Sequence, residues 1–169
     1  MKQKFKVHIS EKRIKERISE LANAINNDFK DSPHLTMIYI SNGAMIFAAD
    51  LARKITLPMK LDTISAWSYS GKKSSGKISL VKKMKINVRG ESVLLVDDIL
   101  DTGRTLSRIT KFLLAKKPSK LRICVLLDKP SRRIADIRAD YSGFTIPDKF
   151  VIGYGLDYNE FYRNLPFIA

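Results

Sequence analysis

The sequence predicts an α/β fold, a central and mostly parallel twisted sheet flanked by helices. Three observations carry that prediction. Short aliphatic runs, Leu35 to Ile40, Ser92 to Val96 and Leu121 to Leu127, are separated by stretches whose apolar residues recur at helical spacing. Those runs lack polar alternation, the pattern of strands buried on both faces. The densest set of chemically capable side chains, Asp97 to Thr105, follows one such strand and opens a helix. That is where open α/β sheets bind ligands.

Taken in order, Ser10 caps a helix in which Ile14, Ile18, Leu21, Ile25 and Phe29 form one apolar stripe, and Asp31-Ser32-Pro33 ends it. This helix packs and carries no chemistry. Leu35 to Ile40 is a buried strand, followed by the turn Ser41-Asn42-Gly43 and a helix from Ala44 to about Lys54. Leu57-Pro58 leads into a third strand, Met59 to Trp67. Ser68 to Gly76 is rich in Gly, Ser and Lys and reads as a loop or hairpin tip. Lys77 to Val81 returns as a strand. A turn at Arg89-Gly90 then leads to the central strand from Ser92. After Gly103, the residues Leu106, Ile109, Leu113 and Leu114 define a helix ending near Lys117-Pro118. Leu121 to Leu127 is a further strand, followed by Asp128-Lys129-Pro130-Ser131-Arg132-Arg133.

Bulk composition narrows the function classes. The chain of 169 residues is one domain's worth, 44% of it apolar. No segment approaches the roughly 18 apolar residues of a membrane span, and Met1 to Ser10 lacks the apolar core of a secretory leader. The one cysteine, Cys124, sits among aliphatics as a reduced core thiol, which fits a cytoplasmic protein. Thirty-one Lys and Arg against 17 Asp and Glu give a net charge of +14. The basic residues are spread along the chain without an Arg-rich tail or interleaved aromatics, so specific nucleic-acid binding is not expected. A field of this sign does draw in small polyanions.

The central stretch Asp97-Asp98-Ile99-Leu100-Asp101-Thr102-Gly103-Arg104-Thr105 combines three carboxylates with two hydroxyls and a glycine at a helix start. The helix N-terminus suits a phosphate; the carboxylates suit ribose hydroxyls, a divalent cation or a developing positive charge. The same Asp-Asp-x-x-Asp spacing occurs in the aspartate-rich motif of prenyl-diphosphate synthases. That motif needs a continuous helix, which the strand-like run before it and the Thr-Gly after it oppose.

These residues resemble the phosphoribosyl-pyrophosphate (PRPP) signature of the type I phosphoribosyltransferases, in particular of their hypoxanthine-guanine branch. A second stretch, Gly143 to Tyr158 and on through Arg163-Asn164-Leu165-Pro166, is similar to the purine-binding and carboxy-terminal part of the same branch. The likeness spans roughly residues 10–168 and implies one phosphoribosyltransferase domain over 1–169, with a small hood or lid region. The activity implied is transfer of the 5-phosphoribosyl group to N9 of a 6-oxopurine, hypoxanthine and also guanine, in purine salvage. By this resemblance Asp97 and Asp98 hold the ribose hydroxyls and magnesium. Asp101 accepts the N7 proton and also belongs to the PRPP site, where Thr102, Gly103, Arg104 and Thr105 cradle the 5′-phosphate. Ser41, Asn42, Gly43 and Arg163 face pyrophosphate, with Asn42 standing where the family has lysine. Lys129 donates to the purine O6, Phe150 stacks on the ring, Val151 contacts it through main chain, and Asp157 serves the purine side and a second Mg2+. Ser68-Tyr69 fall in the lid. Phe150 beside Val151-Ile152 equally fits a core position. The implied partners are PRPP, a 6-oxopurine base, pyrophosphate and a purine nucleoside monophosphate, with no membrane and a homodimer or homotetramer as the assembly. The rival class is a non-catalytic PRPP- or nucleotide-sensing regulator, RNA-binding in some of its forms.

Overall fold

The computed structural model describes residues 5–68, 78–82 and 84–169. The elements are α1 (Glu11–Asp28), β1 (Leu35–Ser41), α2 (Met45–Ala52), β2 (Met59–Ser68), β3 (Ile78–Lys82), β4 (Ser92–Leu100), α3 (Arg104–Leu114), β5 (Lys120–Asp128) and β6 (Tyr141–Thr145), with a 3-10 turn at Pro130–Arg132. They build a six-stranded sheet in the order β3-β2-β1-β4-β5-β6. Five strands are parallel; β3 alone runs antiparallel, against β2. The chain leaves β1 through α2 toward β2, and leaves β4 through α3 toward β5. Neighbours β1 and β4, paired from Thr36↔Val93 to Tyr39↔Val96, are therefore the point where the winding reverses.

Strand alternation sorts the core into two layers. Leu35 and Met37 of β1, Leu94 and Val96 of β4, and Cys124 and Leu126 of β5 pack with α1 and α2. Ile38 and Ile40, Val93 and Leu95, and Ile123 and Val125 pack with α3. Each fully buried aliphatic or aromatic side chain contributes about 1.5–3 kcal/mol. The α1 stripe is as expected, with Ile14, Ile18, Leu21 and Ile25 buried and the Ser10 hydroxyl accepting from the Arg13 N–H at 3.4 Å. Burial pushes the Cys124 thiol well above its ordinary range, so it is a packing group.

The boundaries differ from expectation in three places. Strand β4 continues four residues past Val96, because Asp97, Ile99 and Leu100 pair with Val125, Leu127 and Asp128 of β5. The ladder outweighs the poor strand propensity of aspartate. Helix α3 stops at Leu114, three residues short of Lys117, which takes a positive φ of 57°. Strand β6 was not foreseen.

Candidate active site

The site gathers at the carboxyl ends of the parallel strands, where three turns converge. The first is Ser41-Asn42-Gly43, after β1. Its Ser41–Asn42 peptide is cis, and the Ser41 hydroxyl lies 2.6 Å from that of Ser65 on β2. Asn42 is exposed, and Gly43 is wedged between two other parts of the site. A Cβ there would stand 1.8 Å from Asp98 Oδ2, and a Cβ on Gly155 would stand 2.1 Å from the Gly43 carbonyl oxygen. Gly155 has φ +101°, so only glycine serves at both contacts.

The second turn follows β4. Asp98 lies beside the Gly43 turn, its carboxylate within 1.8 Å of where a Gly43 Cβ would stand, and Asp97 precedes it on β4. The Asp98 N–H donates to Asp97 Oδ1 at 3.0 Å. Asp97 is buried; desolvation first, then the charge of Asp98, pushes its carboxyl well above the usual range. Burial raises Asp98 too, opposed by its hydrogen bond with Asp97 and, more weakly, by the charge of Arg163. Gly103 (φ +78°) turns the chain into α3 and places the helix N-terminus there. Thr102 Oγ1 accepts from the Arg104 N–H at 3.5 Å, and the Arg104 side chain points to solvent.

The third turn follows β5. Lys129 is buried to 6% exposure, and its ammonium donates to the Lys149 carbonyl at 2.5 Å. Its own N–H donates to the Leu100 carbonyl at 2.9 Å, which ties the third turn to the second. Phe150, 72% exposed, makes a T-shaped contact with Tyr158 at 5.8 Å between centroids. It is not a core residue. Val151 beside it is buried. Arg163 clasps the carboxy-terminal loop: its guanidinium donates to the Gly155 carbonyl at 2.8 Å, Asp157 Oδ1 at 2.8 Å and Glu160 Oε2 at 3.0 Å. Asp157 also accepts the Glu160 N–H at 2.9 Å. Ser68 ends β2; Tyr69, and with it the expected lid, lies outside the described residues.

A family model for the phosphoribosyl transferase domain matches residues 9–159. The chain belongs to the phosphoribosyltransferase family. Among relatives, the hypoxanthine phosphoribosyltransferase of Salmonella typhimurium is 42% identical over all of this chain and 96% of its own. The hypoxanthine-guanine phosphoribosyltransferase of Aquifex aeolicus is 45% identical over 96% of this chain and 92% of its own. A crystal structure of a hypoxanthine-guanine phosphoribosyltransferase from Bacillus anthracis superposes with a TM-score of 0.91 at 42% identity, covering 99% of this chain and 97% of that one. A hypoxanthine phosphoribosyl transferase from Trypanosoma cruzi does so at 0.93 and 33% identity, covering 99% and 93%.

For a phosphoribosyltransferase, two residues of the site were missed by sequence reading. Arg132 Nε donates to Asp101 Oδ1 at 2.9 Å and approaches Asp148 at 3.5 Å. Arg133 reaches the Asp101 carbonyl at 3.0 Å. The only signal was a pair of arginines directly after Lys129-Pro130-Ser131. Among the described residues no group of three or more His, Cys, Asp or Glu could hold a metal by itself. The oxygen donors present, buried Asp97 and half-buried Asp98 of β4 and half-buried Asp157 of the carboxy-terminal loop, fit a hard cation that keeps water and phosphate oxygens as its other ligands.

Proposed function

We propose that this chain, a single phosphoribosyltransferase domain, is a purine-salvage enzyme. It transfers the 5-phosphoribosyl group of PRPP to N9 of a 6-oxopurine, hypoxanthine and also guanine. N9 forms a bond to C1 of the ribose, the C1–O bond to pyrophosphate breaks with its electron pair leaving on pyrophosphate, and the N7 proton passes to a base. One observation carries this reading. Buried Asp97 adjoins half-buried Asp98, which lies against the Gly43 turn, while Asp101 and Lys129 sit on two turns joined by the 2.9 Å bond from Lys129 to Leu100.

The roles follow from chemistry. Asp97 and Asp98 accept from the ribose 2′ and 3′ hydroxyls. The turn Thr102-Gly103-Arg104-Thr105 offers helix N-terminal N–H groups to the 5′-phosphate. Ser41, Asn42 and Gly43 face pyrophosphate through main-chain donors, and Arg163 adds charge. Asp101 accepts the N7 proton. Lys129 donates to O6, Phe150 stacks on the purine, and Val151 meets its edge. Adenine is disfavoured because its exocyclic group there is a donor, which a lysine ammonium cannot satisfy. Asp97, Asp98 and Asp157 are the residues that would hold Mg2+, which supplies charge neutralisation on the departing pyrophosphate. The protein itself supplies position and field, the larger share of such a transfer.

No helix among the described residues is long and apolar enough to cross a membrane, and the buried reduced thiol of Cys124 supports a cytoplasmic setting. A homodimer or homotetramer is the proposed assembly; in the Trypanosoma cruzi relative the C-terminal region has a role in oligomeric state and enzymatic activity. The relatives reported above carry enzyme names and lend no support to the sensing-regulator reading.

The test is an assay with PRPP, Mg2+ and each of hypoxanthine, guanine, xanthine and adenine. Magnesium-dependent turnover of hypoxanthine or guanine without adenine is expected. Binding of PRPP with no turnover of any purine would favour the regulator.

A further inference from the structure

The turn that carries Asp101 has its carbonyls tied down on one side. The Leu100 oxygen accepts from the Lys129 N–H at 2.9 Å, and the Thr102 oxygen from the N–H groups of Ile134 and Ala135, both at 3.0 Å. Between them, the Asp101 oxygen accepts from Arg133 Nε at 3.0 Å. Three consecutive carbonyls thus face the segment after β5. In a turn that opens a helix, carbonyls held on one side leave the N–H groups for the other, where an anion needs them. Main chain holds the two flanking carbonyls. A side chain holds the middle one.

That side chain is built in. The Arg133 guanidinium also donates to the Leu100 carbonyl at 3.2 Å, to the Ile137 carbonyl at 2.9 Å and to the Asp128 carboxylate. Its side chain is 17% exposed, and its Cδ would lie 3.0 Å from a Cβ added to Gly103. The stem therefore packs under the left-handed residue that starts α3, while the head bridges four acceptors. Lysine could keep the charge pair with Asp128, but a single point donor cannot span carbonyls 100, 101 and 137 together.

We propose that Arg133 is a positioning residue for the transfer reaction: by holding the Leu100 and Asp101 carbonyls against Asp128, it fixes the main chain that carries the Asp101 carboxylate, which Arg132 meets at 2.9 Å, and so sets that carboxylate's place relative to the purine. Arg133 touches no substrate and acts through Asp101, so the inference rests on Asp101 being the proton acceptor. A displacement of about 1 Å at a reacting group costs on the order of 10²-fold in rate.

The experiment is a double-mutant cycle on single-turnover nucleotide formation, which isolates chemistry from product release. Arg133→Lys is expected to slow the wild-type background by about 10-fold or more, and the Asp101→Asn background by less than about 2-fold. A merely structural role would slow both backgrounds equally. That result, or no slowing in the wild-type background, overturns the proposal. Should Arg133→Lys fail to fold, Asp128→Asn releases the guanidinium from its carboxylate without touching the turn. It is expected to show the same pattern with a loss of about 3-fold or more, confined to the background that retains Asp101. Full rate in Asp101→Asn alone would overturn the base assignment and the proposal together. A slow Asp101→Asn with equal Arg133→Lys losses in both backgrounds overturns only the proposal.

Discussion

Two pairs of carboxylates at opposite ends of the parallel sheet are treated in opposite ways. At the amino end Glu91 accepts from Lys60 at 3.0 Å, from the Thr36 hydroxyl at 2.9 Å and from His34. Lys60 first and His34 next hold its carboxyl down at about 2. Nearby, Asp28 accepts from Lys120, Tyr141 and Arg122 and is likewise lowered to about 2, chiefly by Lys120. At the carboxyl end Asp97 and Asp98 are desolvated and side by side, and both are pushed up. One end satisfies its charges and stitches α1 and the strand starts together. At the other, Asp101, Asp128 and Asp157 also pair with arginines, whereas Asp97 and Asp98, side by side, are raised by desolvation. The amino end uses these carboxylates for stability, and the proposed chemistry lies at the carboxyl end.

Substitutions that separate those two purposes sharpen the contrast. The largest effect is expected at the base. Asp101→Asn should lower turnover by a factor on the order of 10²–10⁴ while PRPP affinity stays near wild type, as read by steady-state kinetics and PRPP titration. A change of less than a few-fold would remove Asp101 from the mechanism. Next is Lys129→Met, which deletes one charged donor in a buried site. A loss of roughly 10- to 150-fold in kcat/KM for hypoxanthine is expected, with the KM for PRPP little changed. Equal losses for both substrates would make Lys129 a structural residue.

The smallest catalytic effect is expected at the amino end, where the readout is stability. The Glu91 carboxyl falls from 4.5 to about 2 on folding, so its ionised form stabilises the native state. That contribution is complete above pH 4.5 and is lost as pH falls through about 2. Glu91→Gln should therefore lower Tm at pH 7, with a gap to wild type that closes across that acid range. Activity per folded molecule should not change. A gap independent of pH would mean that shape, and not charge, is what Glu91 supplies.

Much of this was legible in the sequence because it rests on local periodicity. The α1 stripe and the doubly apolar runs of β1, β4 and β5 follow directly from side-chain spacing. Strand β6 did not, because Tyr141–Thr145 contains Ser142 and Gly143 and has no aliphatic run. It is a strand through its neighbour: a Cβ at Gly143 would lie 2.4 Å from the Leu126 carbonyl oxygen, so only glycine allows that approach. In the site, residues 41–43, 97–105, 129 and 150–163 are distant along the chain, and resemblance alone grouped them before the sheet did. Exposure ruled out the core reading of Phe150. Arg133 stayed hidden because most of its partners are main-chain carbonyls, which leave no mark in a sequence.

The most direct test is one substitution at the carboxyl end read in two ways. Asp97 holds its proton more tightly folded than unfolded, so ionising it costs native stability as pH rises above the ordinary carboxyl value near 3.8. Asp97→Asn, neutral at every pH, should raise Tm at pH 7 by roughly 2–4 °C for each kcal/mol relieved, the gain shrinking toward pH 4. The same variant should lose transferase turnover. A lower Tm at pH 7, or turnover that survives, would contradict the division of labour between the two ends of the sheet.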